Sequence, residues 1–179
     1  MSIYCNKWVE NVFQQIDNKS LLRYTNSMNK YMKMAIKEAE KGILNNDGGP
    51  FGSVIVKDGK VVSKGHNHVV SHNDPTCHGE VDAIRKACKK LKTFDLSGCE
   101  IYTTGEPCIM CACAIMWANI DKVYYGADIK DNSLIGFRDE KFADIFKMKK
   151  IDGFYQQIDR DECLKLFNKY NDLKNKTQY

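Results

Sequence analysis

The chain sets a histidine and a glutamate two residues apart in "TCHGEVDAI", His78 and Glu80, and two cysteines three apart in "EPCIMC", Cys108 and Cys111. Zinc accepts thiolate sulfur and imidazole nitrogen in a tetrahedral set, and a catalytic zinc keeps three protein ligands with one position open to water. His78, Cys108 and Cys111 make such a set of three. Side chains three apart at a helix start share a face, so both sulfurs can meet one ion, whereas Cys113 points elsewhere. Glu80 follows His78 by two residues and so does not face the metal as a fourth ligand, yet its carboxylate can reach water held there. Zinc lowers the pKa of such a water from about 15.7 to about 7, and a carboxylate beside it can take and redeliver the proton. His78 is then expected to hold the metal and Glu80 to move protons.

Two other readings of these residues fit less well. A closed structural zinc site with Cys77 or Cys113 as fourth ligand would exclude water and leave Glu80 idle. A thioredoxin-like redox pair lacks the other features of that motif. Cys5, Cys88, Cys99 and Cys163 read as small core or surface residues, and His66, His68 and His72 as loop or strand residues that are not ligands.

These side chains need elements to position them. Met28, Tyr31, Met32, Ala35, Ile36, Ala39 and Ile43 recur at three-four spacing, which predicts a helix capped by Asn26 or Ser27 with Gly42 near its end. "SVIVKDGKVVSKG" predicts a hairpin turning at Asp58-Gly59, residues that tolerate positive φ. The helix after His78 is expected to cover a sheet with Val81, Ile84, Arg85, Cys88 and Leu91. "CEIYTT" reads as a strand, "PCIMCACAIMWAN" as a helix with Pro107 at its first position, and "DKVYYGAD" as another strand. Further on, a helix near Asp139–Met148, a strand at Phe154–Ile158 and a helix at Asp161–Tyr170 are weaker signals. Strands alternating with helices plus one hairpin give an α/β fold with a mixed sheet covered on both faces.

The chain has 179 residues, 43% hydrophobic and 28% charged, values that suit one globular domain and exclude a disordered chain. Residues 1–25 read as an N-terminal extension, compatible with one short amphipathic helix, ahead of a domain over 26–179. The net charge of +4 comes from lysines scattered among acids, densest at Lys147, Lys149 and Lys150, a pattern of solvated surface and not of a nucleic-acid footprint. Eight cysteines without an apolar signal-like stretch behind Met1 fit a reducing cytosol, where clustered thiols serve metal or chemistry. Nothing approaches the roughly 20 apolar residues of a membrane span.

His-x-Glu followed by Pro-Cys-x-x-Cys is the known signature of zinc deaminases. The chain resembles the cytidine-deaminase-like superfamily and, within it, the bacterial guanine deaminases, through "GGPFGSVIVKDG", "NDPTCHGEVDAIRKAC", "EPCIMC" and the terminal "NKTQY". The resemblance covers roughly residues 26–179. It implies a three-layer α/β/α sandwich with a mixed, roughly five-stranded sheet, one zinc per subunit, and a homodimer whose C-terminal segments cross to complete the neighbouring pocket. It assigns zinc binding to His78, Cys108 and Cys111, proton transfer to Glu80, and purine contacts to Asn67, Asp139, Tyr179 and Phe51. The implied reaction is hydrolysis of guanine to xanthine and ammonia in the cytoplasm, with a small purine base, and neither nucleic acid nor membrane, as partner. Gly79 stands where the family usually has Ala, Gly105 where Cys is common, and Ile109 replaces a usual Pro.

Rival expectations are a deaminase of the same fold acting on another base, a nucleoside or tRNA adenosine, and a zinc-stabilised binding module without turnover. A tRNA enzyme should ring its site with basic surface. From Lys141 onward lysines instead mix with Asp144, Asp152, Asp159, Asp161 and Glu162.

Overall fold

The computed structural model describes residues 28–139 together with Phe142 and Arg160. The predicted extension over 1–25, the strand at Phe154–Ile158, the helix at Asp161–Tyr170, most of the helix near Asp139–Met148 and the terminal Tyr179 lie outside the described residues.

Helix α1 (Lys30–Leu44) is capped by Asn29, not by Asn26 or Ser27, because the Asn29 Oδ1 accepts from the Tyr31 and Met32 N–H groups at 2.9 and 3.3 Å. Its buried residues are Tyr31, Ala35, Ala39 and Gly42. Gly42 does not stop the helix. It is needed where the His66 ring packs, since a Cβ there would stand 2.7 Å from His66 Cδ2.

The hairpin is as expected. β1 (Gly52–Lys57) and β2 (Lys60–His66) pair antiparallel around Asp58 and Gly59, whose φ values are +49° and +71°. There follow α2 (Val69–His72), α3 (Gly79–Leu91), β3 (Cys99–Gly105), α4 (Ile109–Trp117), β4 (Lys122–Ala127) and α5 (Ile129–Leu134). The sheet order is β2-β1-β3-β4, with β1 and β3 antiparallel and β3 and β4 parallel. This is the mixed sheet predicted, in four strands among the described residues.

Side chains of β1 alternate between two cores, as the pleat requires. Val54 and Val56 pack with Tyr31, Ala35 and Tyr102 under α1, while Ile55 joins Ala83, Ala87, Leu96, Ile101 and Ile115 under α3 and α4. Helices therefore cover both faces, giving three layers.

The face of α3 differs from the one expected. Ala83 and Ala87 are fully buried, Ile84 and Cys88 flank them, and Arg85 and Leu91 turn outward. The small residues win because the helix backbone comes close to β2. A Cβ on Gly65 would stand 2.5 Å from both Ala83 N and Gly79 O, and Ser63 Oγ donates to the Ala83 carbonyl at 2.7 Å. Helix α4 also starts later than predicted. Pro107 precedes it and Cys108 is its N-cap, with Ala112 N–H donating to the Cys108 carbonyl at 2.8 Å.

Candidate metal centre

His78 and Cys108 are the N-cap residues of α3 and α4, both with extended backbone, and neither spends its side chain on the cap. Two helix starts thus meet at one end of the sheet with their ligand-bearing side chains available. Cys111, in the first turn of α4, is fully buried beside them. His78 Nδ1 lies 3.6 Å from Cys108 Sγ and 3.4 Å from Cys111 Sγ. All three ligand atoms fall within 4.8 Å of one another. Tetrahedral zinc with ordinary Zn–S and Zn–N bonds separates such atoms by about 3.6 Å, so the donors fit the ion in type and in spacing.

Neither proposed fourth ligand joins the set. Cys113 is exposed, and Cys77 Sγ is engaged by Asp74 at 3.1 Å and by Arg85 Nη1 at 3.4 Å. The closed structural site is therefore not formed by these residues.

The three donors share protons among themselves, with the thiolate on Cys108. The Cys108 thiol is lowered to about 4, first by the hydrogen bond from Cys111 and then by His78. Cys111 is pushed up, because its proton is held by the Cys108 sulfur and burial opposes a second thiolate. His78 is raised chiefly by its hydrogen bond with Cys108. Glu80 is only 4% exposed, and burial raises its carboxyl above the usual range. It is a buried acid beside the three candidate ligands, hydrogen-bonded with Cys111, which is the environment a proton carrier needs.

The residues expected to touch a purine fall partly into view. The Asn67 N–H donates to the Phe51 carbonyl at 2.9 Å, and Asn67 Oδ1 accepts from the Val69 N–H at 3.1 Å, which leaves the amide NH2 to face acceptors. The Phe51 carbonyl in turn lies against Gly79, where a Cβ would stand 2.7 Å from it. Alanine at 79 would strike backbone, which accounts for the glycine between His78 and Glu80. Gly105 makes room in the same way for the Phe51 ring, 3.1 Å from the position of a Cβ. Asp139 Oδ2 accepts from Asn132 Nδ2 at 3.3 Å, and burial raises Asp139 while the charges of Cys108 and His78 reach it.

Sequence reasoning missed several residues. Asn132 is buried and orients Asp139, and Phe137 meets Phe51 edge to face with ring centroids 4.6 Å apart. Asn132 lies within α5 and Phe137 just after it, and that short helix carries no strong periodic signal. Glu106, the nearest alternative proton carrier in sequence, is committed elsewhere, since its Oε2 accepts from the Ile129 N–H at 3.1 Å.

A three-layer α/β/α fold with a mixed His/Cys centre at paired helix starts defines the class of zinc-dependent hydrolases that work with a buried carboxylate. The chain belongs to the deaminase family whose cytidine and deoxycytidylate deaminase zinc-binding region matches residues 25–127. It is 42% identical over 157 residues to guanine deaminase of Bacillus subtilis (strain 168), covering 83% of this chain and 97% of that protein. The crystal structure of guanine deaminase from Bacillus subtilis superposes with a TM-score of 0.77 at 41% identity, covering 85% of this chain and 99% of that one. A tRNA-specific adenosine deaminase of Aquifex aeolicus (strain VF5) is 44% identical over 97 residues, 54% of this chain and 64% of that protein. The protein is a zinc-dependent deaminase with one zinc per subunit at its family site.

Proposed function

We propose that the substrate is guanine, hydrolysed to xanthine and ammonia, with His78, Cys108 and Cys111 holding the zinc and Glu80 carrying the protons. The observation that bears most weight is Glu80 itself, buried and hydrogen-bonded beside Cys111 while contributing nothing to the ligand set. Zinc bound at this centre supplies the Lewis acidity that makes water nucleophilic near neutral pH. Glu80 takes one proton from the attacking water and delivers it to the purine N3 as C2 becomes tetrahedral, then takes the second from the new C2 hydroxyl and delivers it to the departing amine, which leaves as ammonia while C2 becomes a carbonyl.

Asn67, Asp139, Phe51 and Tyr179 select the base in this reading. Guanine carries its amino group beside a ring N–H, so the Asp139 carboxylate accepts from that edge while the Asn67 amide donates to the ring acceptors. The Phe51 ring, buttressed by Phe137, walls the pocket. A site of matched hydrogen bonds rejects bases that leave its polar groups unpaired. Identity supports guanine over tRNA adenosine: over a similar share of this chain, the Bacillus subtilis guanine deaminase is 42% identical and a tRNA-specific adenosine deaminase of Buchnera aphidicola 34%.

The same reading makes the protein a homodimer in which each C-terminal segment, ending at Tyr179, closes the partner's pocket. Exposed Met116 and Trp117 on α4 and Tyr124 and Tyr125 on β4 are compatible with a covered surface there. The six described cysteines are free, which accords with work in the cytoplasm on guanine catabolism. Among the described residues no helix is long and apolar enough to cross a membrane. Ammonia release measured against guanine, guanosine, cytosine and adenine decides the matter. Guanine should be turned over fastest, and preference for any other of the four would overturn the substrate assignment.

A further inference from the structure

The three histidines outside the metal centre are not scattered. His66, at the end of β2, and His68, just before α2, bring their rings to 4.0 Å between centroids, and His72 stacks on His68 at 4.7 Å. Asp47 reaches both rings. Its Oδ2 lies 3.0 Å from His66 Nε2 and 3.9 Å from His68 Nδ1. One oxygen and two nitrogens thus converge, all within 4.8 Å. A tetrahedral ion with ordinary bonds to such ligands would set them about 3.4 Å apart, between the two observed values.

The far side of each ring faces a second carboxylate. His66 Nδ1 lies 3.6 Å from Glu38 Oε2, and His68 Nε2 lies 3.6 Å from Asp82 Oδ2. Metal-ligating histidines commonly donate the other ring N–H to a carboxylate, which fixes the tautomer that leaves the ligating nitrogen bare. This pattern also explains an oddity in the core. His66 is 3% exposed, and its Nδ1 has no hydrogen-bond partner. In a neutral ring the 3.0 Å contact with Asp47 requires the proton on Nε2, so Nδ1 turns a lone pair toward the Glu38 carboxylate. A cation on Nε2 reverses this, sending the proton to Nδ1, where Glu38 can accept it.

We infer that Asp47, His66 and His68 form a second site for a divalent transition-metal cation such as Zn2+ or Co2+, separate from the His78, Cys108 and Cys111 centre. The donor set is two imidazoles and a carboxylate, with no sulfur, so it suits borderline cations and binds them less selectively than the thiolate centre. An ion there ties the Asp47 segment, which leads into Phe51, to the turn carrying Asn67. Its effect on turnover rests on the proposed purine site. Its existence does not, because bound metal is counted directly.

The test titrates the one-zinc holoenzyme with Co2+, counting both metals by elemental analysis and recording the visible spectrum. The expected result is one zinc retained and about one cobalt gained per chain, with ligand-field bands but no thiolate-to-cobalt charge-transfer absorption. His68→Asn and Asp47→Asn should each weaken cobalt binding at least tenfold while zinc content and cooperative melting are kept. These positions are partly exposed, so folding is checked without touching buried His66. No uptake beyond the zinc, uptake with charge-transfer absorption, or unchanged uptake in either variant would overturn the site. No uptake is also what a doubly protonated His66 bridging Glu38 and Asp47 predicts.

Discussion

His78 Nδ1 and Cys111 Sγ stand 3.4 Å apart although 33 residues separate them in the chain. The contact exists because α3 and α4 begin at the same end of the sheet, so the distance reports the packing of two helices on the strands between them. Removing a donor from the His78, Cys108 and Cys111 set should therefore empty the centre without dismantling the core. His78→Ala and Cys108→Ala are expected to lose the tightly held zinc after exhaustive dialysis, and Cys113→Ala, on the exposed face of α4, to keep it. Full zinc in both ligand variants would refute the assignment.

Glu80→Gln retains shape and the metal ligands but cannot accept a proton. Turnover should fall by roughly 10²- to 10⁴-fold, the usual range for acid–base groups. Zinc content should stay near one, and the fold should melt as the parent does. A binding module stabilised by zinc has no turnover to lose, so measurable parent activity is itself part of this check. Near-normal turnover in the variant would point away from Glu80.

The contact of α3 with β2 should matter to the site as much as to the core. A methyl group on Gly65 meets the backbone of Ala83 and Gly79, which cannot yield as a flexible side chain does. Gly65→Ala is expected to cost about 1–3 kcal/mol in urea unfolding, as overpacking does. Because Gly79 lies between His78 and Glu80, kcat should fall as well. A variant as stable and as fast as the parent would mean that the helix accommodates the methyl freely.

The centre was legible because metal chemistry restricts both residue type and spacing. His78, Cys108 and Cys111 come together as the two short motifs imply, and Asp58-Gly59 turns the hairpin by the φ values its residues tolerate. The errors have one physical source. Which side of α3 is buried depends on how closely Gly65 lets the helix approach, and the cap of α1 depends on which asparagine reaches the free N–H groups. Neither is a periodic property of the chain. The Asp47, His66 and His68 cluster was missed for a similar reason: Asp47 arrives from the loop after α1, distant in sequence from both histidines, and Gly42 makes the space for the His66 ring.

Acid should expose one local tie. Asp74 is lowered to about 2, first by the hydrogen bond from the Thr76 hydroxyl at 2.7 Å and then by the Thr76 N–H at 2.8 Å. A depressed folded value means that its contribution is present above the ordinary value of 3.8 and fades as pH falls toward about 2. The difference in melting temperature between the parent and Asp74→Asn should be constant above that window and shrink within it. A difference that grows on acidification would contradict the sign.

A truncation of the C-terminal segment tests the proposed guanine specificity apart from the deaminase chemistry. Asp139 is already oriented by Asn132 and electrostatically coupled to His78 and Cys108, so the carboxylate edge of the proposed pocket is in place before Tyr179 is considered. Deleting the last few residues should leave zinc content and cooperative melting intact, because a chain terminus rarely supports a core by itself. Guanine turnover should then drop sharply. In a homodimer with crossing tails, a tailless subunit still carries Glu80 and a Glu80→Gln subunit still carries a tail, so mixing the two inactive proteins lets one supply what the other lacks. Partial recovery of ammonia release on mixing is the expected outcome. A tailless protein as fast on guanine as the parent would remove Tyr179 from the pocket, and a sharp loss with no recovery on mixing would place the tail over its own subunit's site.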